Sequence, residues 1–387
     1  RIISIISWLG FITGISFSII TCVFNAKKEF YTPLILSFLQ ILLTIVIISL
    51  YYKCLGIISV ALGVLLGSIF SIVVGLVKIR NYFQWQFKGN IFNNVINKYN
   101  RELKFAILAA LCFTVHQSID AFWAPKIGPS NLSYLGYCSR VLIALGALIL
   151  TGPSTVLVPR LTISLNENRE VDFFKDVTLV IKIVISLSSV FAMIFISLGP
   201  QIIKIVFERG AFTAQDTVAI NSIIPFMFSA MVFMVAVVIL FRVLFLRETG
   251  SKLAVIGIIG ALVYFVISGI FSILMGVKGI ALAYLVTWIL LFYLSLNRLF
   301  KKNSEYIITK STTIFIFKQC ILLFILYLTV INSFSLLTTY LNDNYLYELV
   351  IHTLASSCLG LIVYAIVSIK IVKQKEIIYL FRELRQL

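Results

Sequence analysis

The residue type and position most able to do chemistry in this chain is an arginine inside an apolar stretch, Arg140. It falls about a third of the way into the stretch Leu132 to Val158, which contains no other charge. A charge inside hydrocarbon costs roughly 2.5–3.5 kcal/mol even on a lenient insertion scale. Such a residue normally faces a charged partner or a water-filled cavity, and we expect one of these for Arg140.

Asp120 and His116 are two further ionisable side chains, and both lie in the apolar stretch that precedes the stretch of Arg140. They lie one helical turn apart on the same face of a predicted helix. The loop Lys126 to Asn131 joins the two stretches, so the depths of Asp120 and Arg140 differ by about one helical turn. Two interpretations stay open: a structural ion pair that fixes two helices together, or the charged lining of a substrate cavity.

Motifs of catalysis and of metal binding are absent from the sequence. It has no GxSxG, Walker A or HExxH pattern, its six Cys are scattered without a CxxC pair, and it has two His. We therefore expect no catalytic residue, no metal site and no cofactor. A transporter or channel fits the sequence better than an enzyme.

The elements that must position these residues are transmembrane helices. Of the 387 residues 60% are hydrophobic and 12% are charged, whereas soluble proteins carry about 25% charged residues. Continuous apolar runs of about 20 residues predict an all-α polytopic membrane protein. We count eleven runs: 1–24, 33–52, 55–77, 103–125, 132–158, 177–199, 217–243, 253–275, 279–297, 314–337 and 349–369.

The positive charges lie between the apolar runs. The net charge of +17 therefore indicates topology and contact with anionic lipid headgroups, not nucleic acid. The basic connection 78–104 is expected in the cytoplasm, and alternation then places the C-terminus there and the N-terminus outside. This orientation predicts an odd number of spans before Arg1. Segments 85–104 and 370–387 have the pattern of amphipathic interfacial helices.

The segment FERGAFTAQDT, residues 207–217, carries the most specific pattern. Gly210 permits a turn, and Thr213 with Asp216 forms a capping motif for the next span. The segment resembles the signature loop of the MurJ/MviN lipid II flippases, in the multidrug/oligosaccharidyl-lipid/polysaccharide exporter superfamily. Further segments resemble that family in the same order: FNAKKEFYTP (24–33), LGVLLG (62–67), SIDAFWAPKIGPSNLSYLGYCSRV (118–141), TVLVPRL (155–161) and GVKGIALAYLVT (276–287).

The resemblance implies an organisation for the whole chain. Members of this family have fourteen spans in two lobes, so the eleven runs correspond to the last eleven and the first three would be missing. The implied segments are the second half of the N-terminal lobe (1–77), a cytoplasmic linker with an interfacial helix (78–104), the six-helix C-terminal lobe (105–300), and two extra spans with a basic tail (301–387).

The resemblance also implies a function: outward transport of undecaprenyl-pyrophosphate-linked peptidoglycan precursor across the bacterial cytoplasmic membrane by alternating access. Arg140 would bind pyrophosphate, Asp120 would hold or gate Arg140, and His116 would tune that pair. The expected partners are the lipid-linked saccharide pyrophosphate and membrane lipids, with the protein a monomer.

Departures from the family pattern keep alternatives open. The family's Ala-Asp before the arginine is Cys138-Ser139 here. Export of another lipid-linked oligosaccharide or polysaccharide unit is one alternative, and a non-transporting truncated remnant is another. A drug or cation antiporter ranks third, because it would require acidic residues in the cavity and the sequence offers Asp120.

Overall fold

The structure is a computed structural model and describes part of the chain. The described residues are 2–26, 29, 31–80, 104, 107–108, 111, 114–167, 169–247, 250–300, 310–340 and 346–371. They are almost entirely helical and contain no strand. The structure describes residue 104 of the predicted interfacial segment 85–104 and residues 370 and 371 of the segment 370–387. Both interfacial helices therefore stay predictions.

The described helices follow the predicted apolar runs in order. Their bounds are α1 Ile2–Ala26, α2 Tyr31–Leu55, α3 Ile58–Ile79, α4 114–127, α5 Asn131–Asn166, α6 Glu170–Phe207, α7 Ala214–Asn221, α8 Ile224–Arg247, α9 Gly250–Met275, α10 Val277–Phe300, α11 Lys310–Tyr340 and α12 Leu346–Ile366, which a π-helical turn Val367–Ile371 continues.

Membrane spans account for most of these helices. Within the described ranges, nine helices are long and apolar enough to cross a membrane. Helix α1 contains a shorter apolar segment, Trp8–Thr21, and the run 103–125 is described only in part. The all-α membrane architecture is therefore confirmed, while the count of eleven spans stays a prediction.

Two predicted runs differ from the helices that they form. The run 217–243 was expected to be a single span, but it is divided into the short α7 and the span α8 by a turn at residues 222–223. The run 177–199 extends into the 38-residue α6, which departs from helical geometry at Leu198. Pro200 lies two residues beyond, and proline disrupts a helix because it lacks the N–H and its ring contacts the preceding turn.

The first of two compact units, Arg1–Val95, contains α1, α2 and α3. Helix α3 packs against both of the others. At Gly67 a Cβ atom would lie 2.7 Å from the Gln40 carbonyl oxygen of α2. The hydroxyl of Thr44 also donates to the Gly63 carbonyl oxygen at 3.1 Å. The GxxxG pair of α3 therefore serves close packing between helices.

The second unit, Ile96–Leu387, contains α4 to α12. Helix α8 packs against α5, α6 and α10, and many of its apolar side chains are buried there. Helices α11 and α12 pack against each other and against α6. The functional residues named above all belong to this unit, on the hairpin of α4 and α5.

Candidate functional site

Helix α4 holds two of the predicted residues in a buried position. Asp120 and His116 are 7% and 5% exposed, respectively. Asp120 accepts a hydrogen bond from the hydroxyl of Tyr264 on α9. A buried carboxylate requires such a donor, because removing a charge from water is otherwise costly. The residue that engages Asp120 in this structure is thus a tyrosine.

The ring of His116 lies among aromatic rings of α9 and α10. Its centroid is 5.4 Å from Trp288 in a stacked arrangement and 4.9 Å from the ring of Tyr264. Tyr284 approaches edge-on at 6.0 Å. Offset stacking and edge contacts of this kind are favourable and fix ring orientation. The cluster therefore ties α4 to α9 and α10 at the level of Asp120.

In the described part of the chain, Arg140 is not joined to Asp120 by the ion pair that one of the two open interpretations predicts. Its side chain is exposed on α5. The expected pairing is therefore not observed in this conformation, because the Asp120 carboxylate bonds to Tyr264 and is buried. Asp120 and Arg140 lie at similar depths on neighbouring helices, as the sequence predicts. Depth alone does not determine the direction in which each side chain points.

Two cavities of the second unit bring the predicted residues together. A large cavity of about 820 Å³ is lined by His116, Asp120, Tyr284 and Trp288, among others. A small cavity of about 410 Å³ is lined by Asp120 and Arg140. Asp120 thus borders both, while His116 borders the large cavity and Arg140 the small one.

The charges around these cavities are mostly positive. Arg242, an exposed residue of α8, lines the large cavity, and Arg140 lines the small one. Asp120 is the acidic residue among the cavity linings described here. Since Asp120 is buried and both arginines are exposed, the two guanidinium groups dominate the accessible charge and favour an anionic ligand.

The large cavity also has an extensive apolar wall. Its lining includes Met234, Val238, Phe241 and Leu253 from α8 and α9. Ligand sites that combine a wide apolar surface with a few placed polar groups are suited to amphipathic molecules. An anionic headgroup with an apolar attachment fits this lining better than a small hydrophilic ion.

The signature segment 207–217 joins the end of α6 to the first turn of α7. Gly210 has φ +65, which explains the glycine at that turn. The backbone N–H of Thr213 donates to Asp216 at 2.7 Å, and the two residues form the predicted capping box. The capped helix is the short α7 and not the span, which begins at Ile224.

Asp216 also connects this segment to the start of α5. It accepts a hydrogen bond from the Tyr134 hydroxyl at 2.8 Å. The backbone N–H of Thr213, followed by the hydroxyls of Tyr134 and Thr213, lowers the pKa of Asp216, because all three donate to the charged form. The segment therefore fixes α5, which carries Arg140, relative to α7.

No described set of three or more His, Cys, Asp or Glu residues could hold a metal ion. Sequence reasoning missed Tyr264, Tyr284, Trp288 and Arg242. The aromatic residues lie within apolar runs, and Arg242 lies at the end of a run, where a basic residue ordinarily marks the membrane surface.

Comparison with protein families gives a match over nearly the whole chain. The profile of the family described as "Lipid II flippase MurJ" matches residues 1–376. A protein of Buchnera aphidicola subsp. Baizongia pistaciae (strain Bp), named "Probable lipid II flippase MurJ", is 23% identical over 222 residues. That alignment covers 56% of this chain and 42% of the relative, so it spans less than half the length of the relative.

Two solved structures share the fold. A structure described as "Lipid II flippase MurJ, inward closed conformation" has a TM-score of 0.71 and 19% identity, covering 95% of this chain and 74% of that one. A crystal structure of a mutant of the Vibrio cholerae MATE transporter VcmN has a TM-score of 0.63 and 13% identity, with coverages of 77% and 69%. At these identities the likeness establishes a common fold.

Proposed function

The chain belongs to the lipid II flippase MurJ family, and we propose that it moves undecaprenyl-pyrophosphate-linked peptidoglycan precursor outward across the cytoplasmic membrane. The family is one of transporters, and the chain is a multi-pass protein of the bacterial inner membrane. One observation carries the proposal: the exposed Arg140, on the apolar helix α5 that is long enough to span a membrane, lines a cavity.

Arg140 would bind the pyrophosphate. A guanidinium offers several donors in a fixed planar arrangement that matches phosphate oxygens, and it remains charged at any physiological pH. Its exposure leaves those donors available to a ligand. Arg242, which lines the large cavity, would supply a second cation for the same anionic group before it reaches Arg140.

The two cavities would act at successive stages of transport. In the orientation predicted from Lys and Arg, the end of α8, beside the large cavity, would lie near the cytoplasm. The α4–α5 turn, beside the small cavity, would lie outside. Alternating access would then open the large cavity to one side and the small cavity to the other. The C-terminus is cytoplasmic in this arrangement.

Asp120 and His116 would hold the helices that form the wall of the large cavity, and the arginines would bind the substrate. The Tyr264 hydroxyl donates a hydrogen bond to Asp120 and would hold this carboxylate against α9. His116 is stacked with Trp288 and Tyr264 and would hold the wall of the large cavity. This differs from the role first expected for Asp120, which was to hold Arg140 directly.

Another lipid-linked saccharide is the second candidate substrate. It is favoured by Ser139, which stands where the family pattern has Asp, and by the proximity of Ser139 to Arg140 in the small cavity. Both candidates share a polyprenyl pyrophosphate and differ in the sugar. A cation antiporter fits less well, because the described linings of the two cavities contain two arginines, Arg140 and Arg242, beside the single carboxylate of Asp120.

Growth of a flippase-depleted bacterium tests the proposal. We expect the full-length protein to restore cell-wall synthesis and Arg140→Ala to reduce it at least ten-fold, because two charge-assisted hydrogen bonds to phosphate are lost. Arg140→Lys keeps the charge without the planar donors and should be intermediate. Full rescue by Arg140→Ala, at equal membrane abundance, would show that Arg140 does not bind the substrate.

A further inference from the structure

The large and small cavities share one set of lining residues. Gln117, Asp120, Ser139 and Ile143 border both cavities, and we call these four residues the junction. Two of them lie on α4 and two on α5. The junction is therefore the place where the hairpin of α4 and α5 separates the two spaces.

The junction lies part of the way along both helices. On α5 the small cavity extends from Leu132 to Ile143, and the large cavity extends from Ser139 to Leu150. Their overlap covers about one helical turn. A headgroup that moved between the two cavities along this hairpin would therefore meet these four side chains.

Two of the four residues have side chains available for hydrogen bonding. Asp120 is engaged by Tyr264, and Ile143 is apolar. The side chains of Gln117 and Ser139 form no hydrogen bond with any other described residue. An amide and a hydroxyl together present both donors and acceptors, and both are neutral.

Neutral donors and acceptors are suited to the hydroxyl and acetamido groups of a sugar. They add little to the binding of phosphate, for which charged donors are about twice as strong. Ser139 directly precedes Arg140, so their side chains leave α5 about 100° apart around the helix axis at nearly the same depth. A sugar attached to a pyrophosphate on Arg140 is therefore within reach of Ser139.

We propose that Gln117 and Ser139 form a saccharide-binding site at the junction, which selects polyprenyl pyrophosphates that carry a sugar. The proposal rests on the proposed function and names the residues that give it specificity. A site that hydrogen-bonds a substrate group discriminates against a molecule that lacks the group, because its own polar atoms are then left without partners.

Binding of two lipids to the full-length protein in nanodiscs tests the proposal. The probes are undecaprenyl pyrophosphate and the same lipid bearing an N-acetylated disaccharide. We expect the wild type to bind the disaccharide lipid more tightly. Gln117→Met and Ser139→Ala should each weaken that binding about two- to ten-fold and leave the affinity for undecaprenyl pyrophosphate unchanged.

Three further variants make the outcome specific. Ser139→Thr keeps a hydroxyl and should retain the preference for the disaccharide lipid. Ser197→Ala, on α6 and outside both cavities, removes a hydroxyl that bonds the Met193 carbonyl oxygen at 2.8 Å and should change neither affinity. Arg140→Ala should weaken the binding of both lipids. Unchanged affinity of the bare lipid also shows that the Gln117 and Ser139 variants are folded.

The possible results separate the two proposals. If the wild type binds neither lipid, the proposed function is wrong, and the saccharide site is wrong with it. If the wild type binds both lipids equally, or if Gln117→Met and Ser139→Ala retain the full preference, the saccharide site is wrong while the flippase proposal stands. A preference that the two substitutions abolish supports both.

Discussion

The hydrogen bond between Tyr264 and Asp120 joins α9 to α4. The hydroxyl on α9 donates to a carboxylate on α4 that is 7% exposed. Leaving a buried carboxylate with one donor fewer costs about 1–3 kcal/mol. This contact therefore contributes to the position of α4 as well as to the charge balance of the cavities.

Tyr264→Phe removes the hydroxyl and keeps the ring. We expect the free energy of unfolding to fall by roughly 1–3 kcal/mol, measured by denaturation in detergent, because Asp120 stays buried without its donor. Tyr284→Phe is the matched control in the same aromatic cluster. Its hydroxyl bonds the sulfur of Met234 at 3.5 Å, a weaker contact, so it should cost less. An equal effect of both substitutions would contradict the importance of the Asp120 contact.

Sequence reasoning located these residues but not their partners. A charge in an apolar run identifies the region, because hydrocarbon makes it costly, and so Arg140 and Asp120 were found. Their depths also agreed with a shared site. The direction of each side chain depends on how helices rotate against each other, and Tyr264 resembles its apolar neighbours in sequence. The pairing with Asp120 therefore required the structure.

Helices α2 and α3 approach each other at a glycine. A Cβ atom at Gly67 would lie 2.7 Å from a carbonyl oxygen of Gln40, so the backbones must separate to admit it. We expect Gly67→Ala to lower the temperature of unfolding of the protein in detergent. At Gly14 a Cβ atom would meet nothing within 4 Å, and Gly14→Ala should maintain or raise that temperature through its greater helix propensity. The same sign for both would contradict the packing described.

Helix α7 depends on the ionised form of Asp216. Hydrogen bonds from Thr213 and Tyr134 lower the pKa of Asp216 in the folded protein. The stabilisation is therefore complete above the ordinary Asp pKa of about 3.9, and it is lost as the pH falls through the lowered folded value. We expect hydrogen-exchange protection of Ala214–Asn221, corrected for intrinsic rates, to be constant from about pH 7 to about pH 5 and to decrease below about pH 4.

Asp216→Asn provides the control for this pH dependence. It should reduce the protection of α7 at neutral pH and remove most of the loss on acidification. Identical protection of the wild type and the variant across the whole pH range would show that the carboxylate does not stabilise α7.

The elements themselves were predictable to different degrees. The apolar runs gave the positions of the spans because hydrocarbon thickness requires about 20 apolar residues. The separation of α7 from α8 was missed, because the run 217–243 is apolar throughout its length apart from isolated polar residues. The cap at Thr213 was found, since a capping box is a local pattern.

At the scale of the whole molecule, a polar cluster attaches α11 and α12 to α6. Gln319 of α11 donates to Ser189 at 2.8 Å and to the hydroxyl of Tyr364 at 3.1 Å. Its amide oxygen accepts a hydrogen bond from Ser186 at 3.3 Å. These groups are buried among apolar side chains, so each bond also prevents an unpaired polar atom.

Gln319→Leu should therefore loosen α11 and α12. It leaves the hydroxyls of Ser186, Ser189 and Tyr364 without this partner, and we expect faster hydrogen exchange in both helices with little change in α8 to α10. Ser333→Ala, whose hydroxyl bonds the Val330 carbonyl oxygen within α11, is the control and should have no such effect. Unchanged exchange in the Gln319 variant would show that apolar packing alone attaches the two helices.

The family and the all-α membrane fold were predicted from the sequence, whereas the division of the chain into segments stays a prediction. The resemblance of ordered segments predicted the family, and the profile match confirms it. The orientation in the membrane stays a prediction based on Lys and Arg in the connections. The two cavities and the junction between them could not be predicted from the sequence. Apolar runs indicate which residues form helices, whereas a cavity depends on how those helices pack against each other.

Translocation of lipid II by the purified full-length protein is the most direct test of the proposed flippase function. The protein is reconstituted in liposomes with lipid II, and the fraction of lipid II that becomes accessible to an added membrane-impermeant enzyme is followed over time. We expect the wild type to expose lipid II from both leaflets and Arg140→Ala to do so at least ten-fold more slowly. A wild-type rate equal to that of liposomes without protein would contradict the flippase function proposed here.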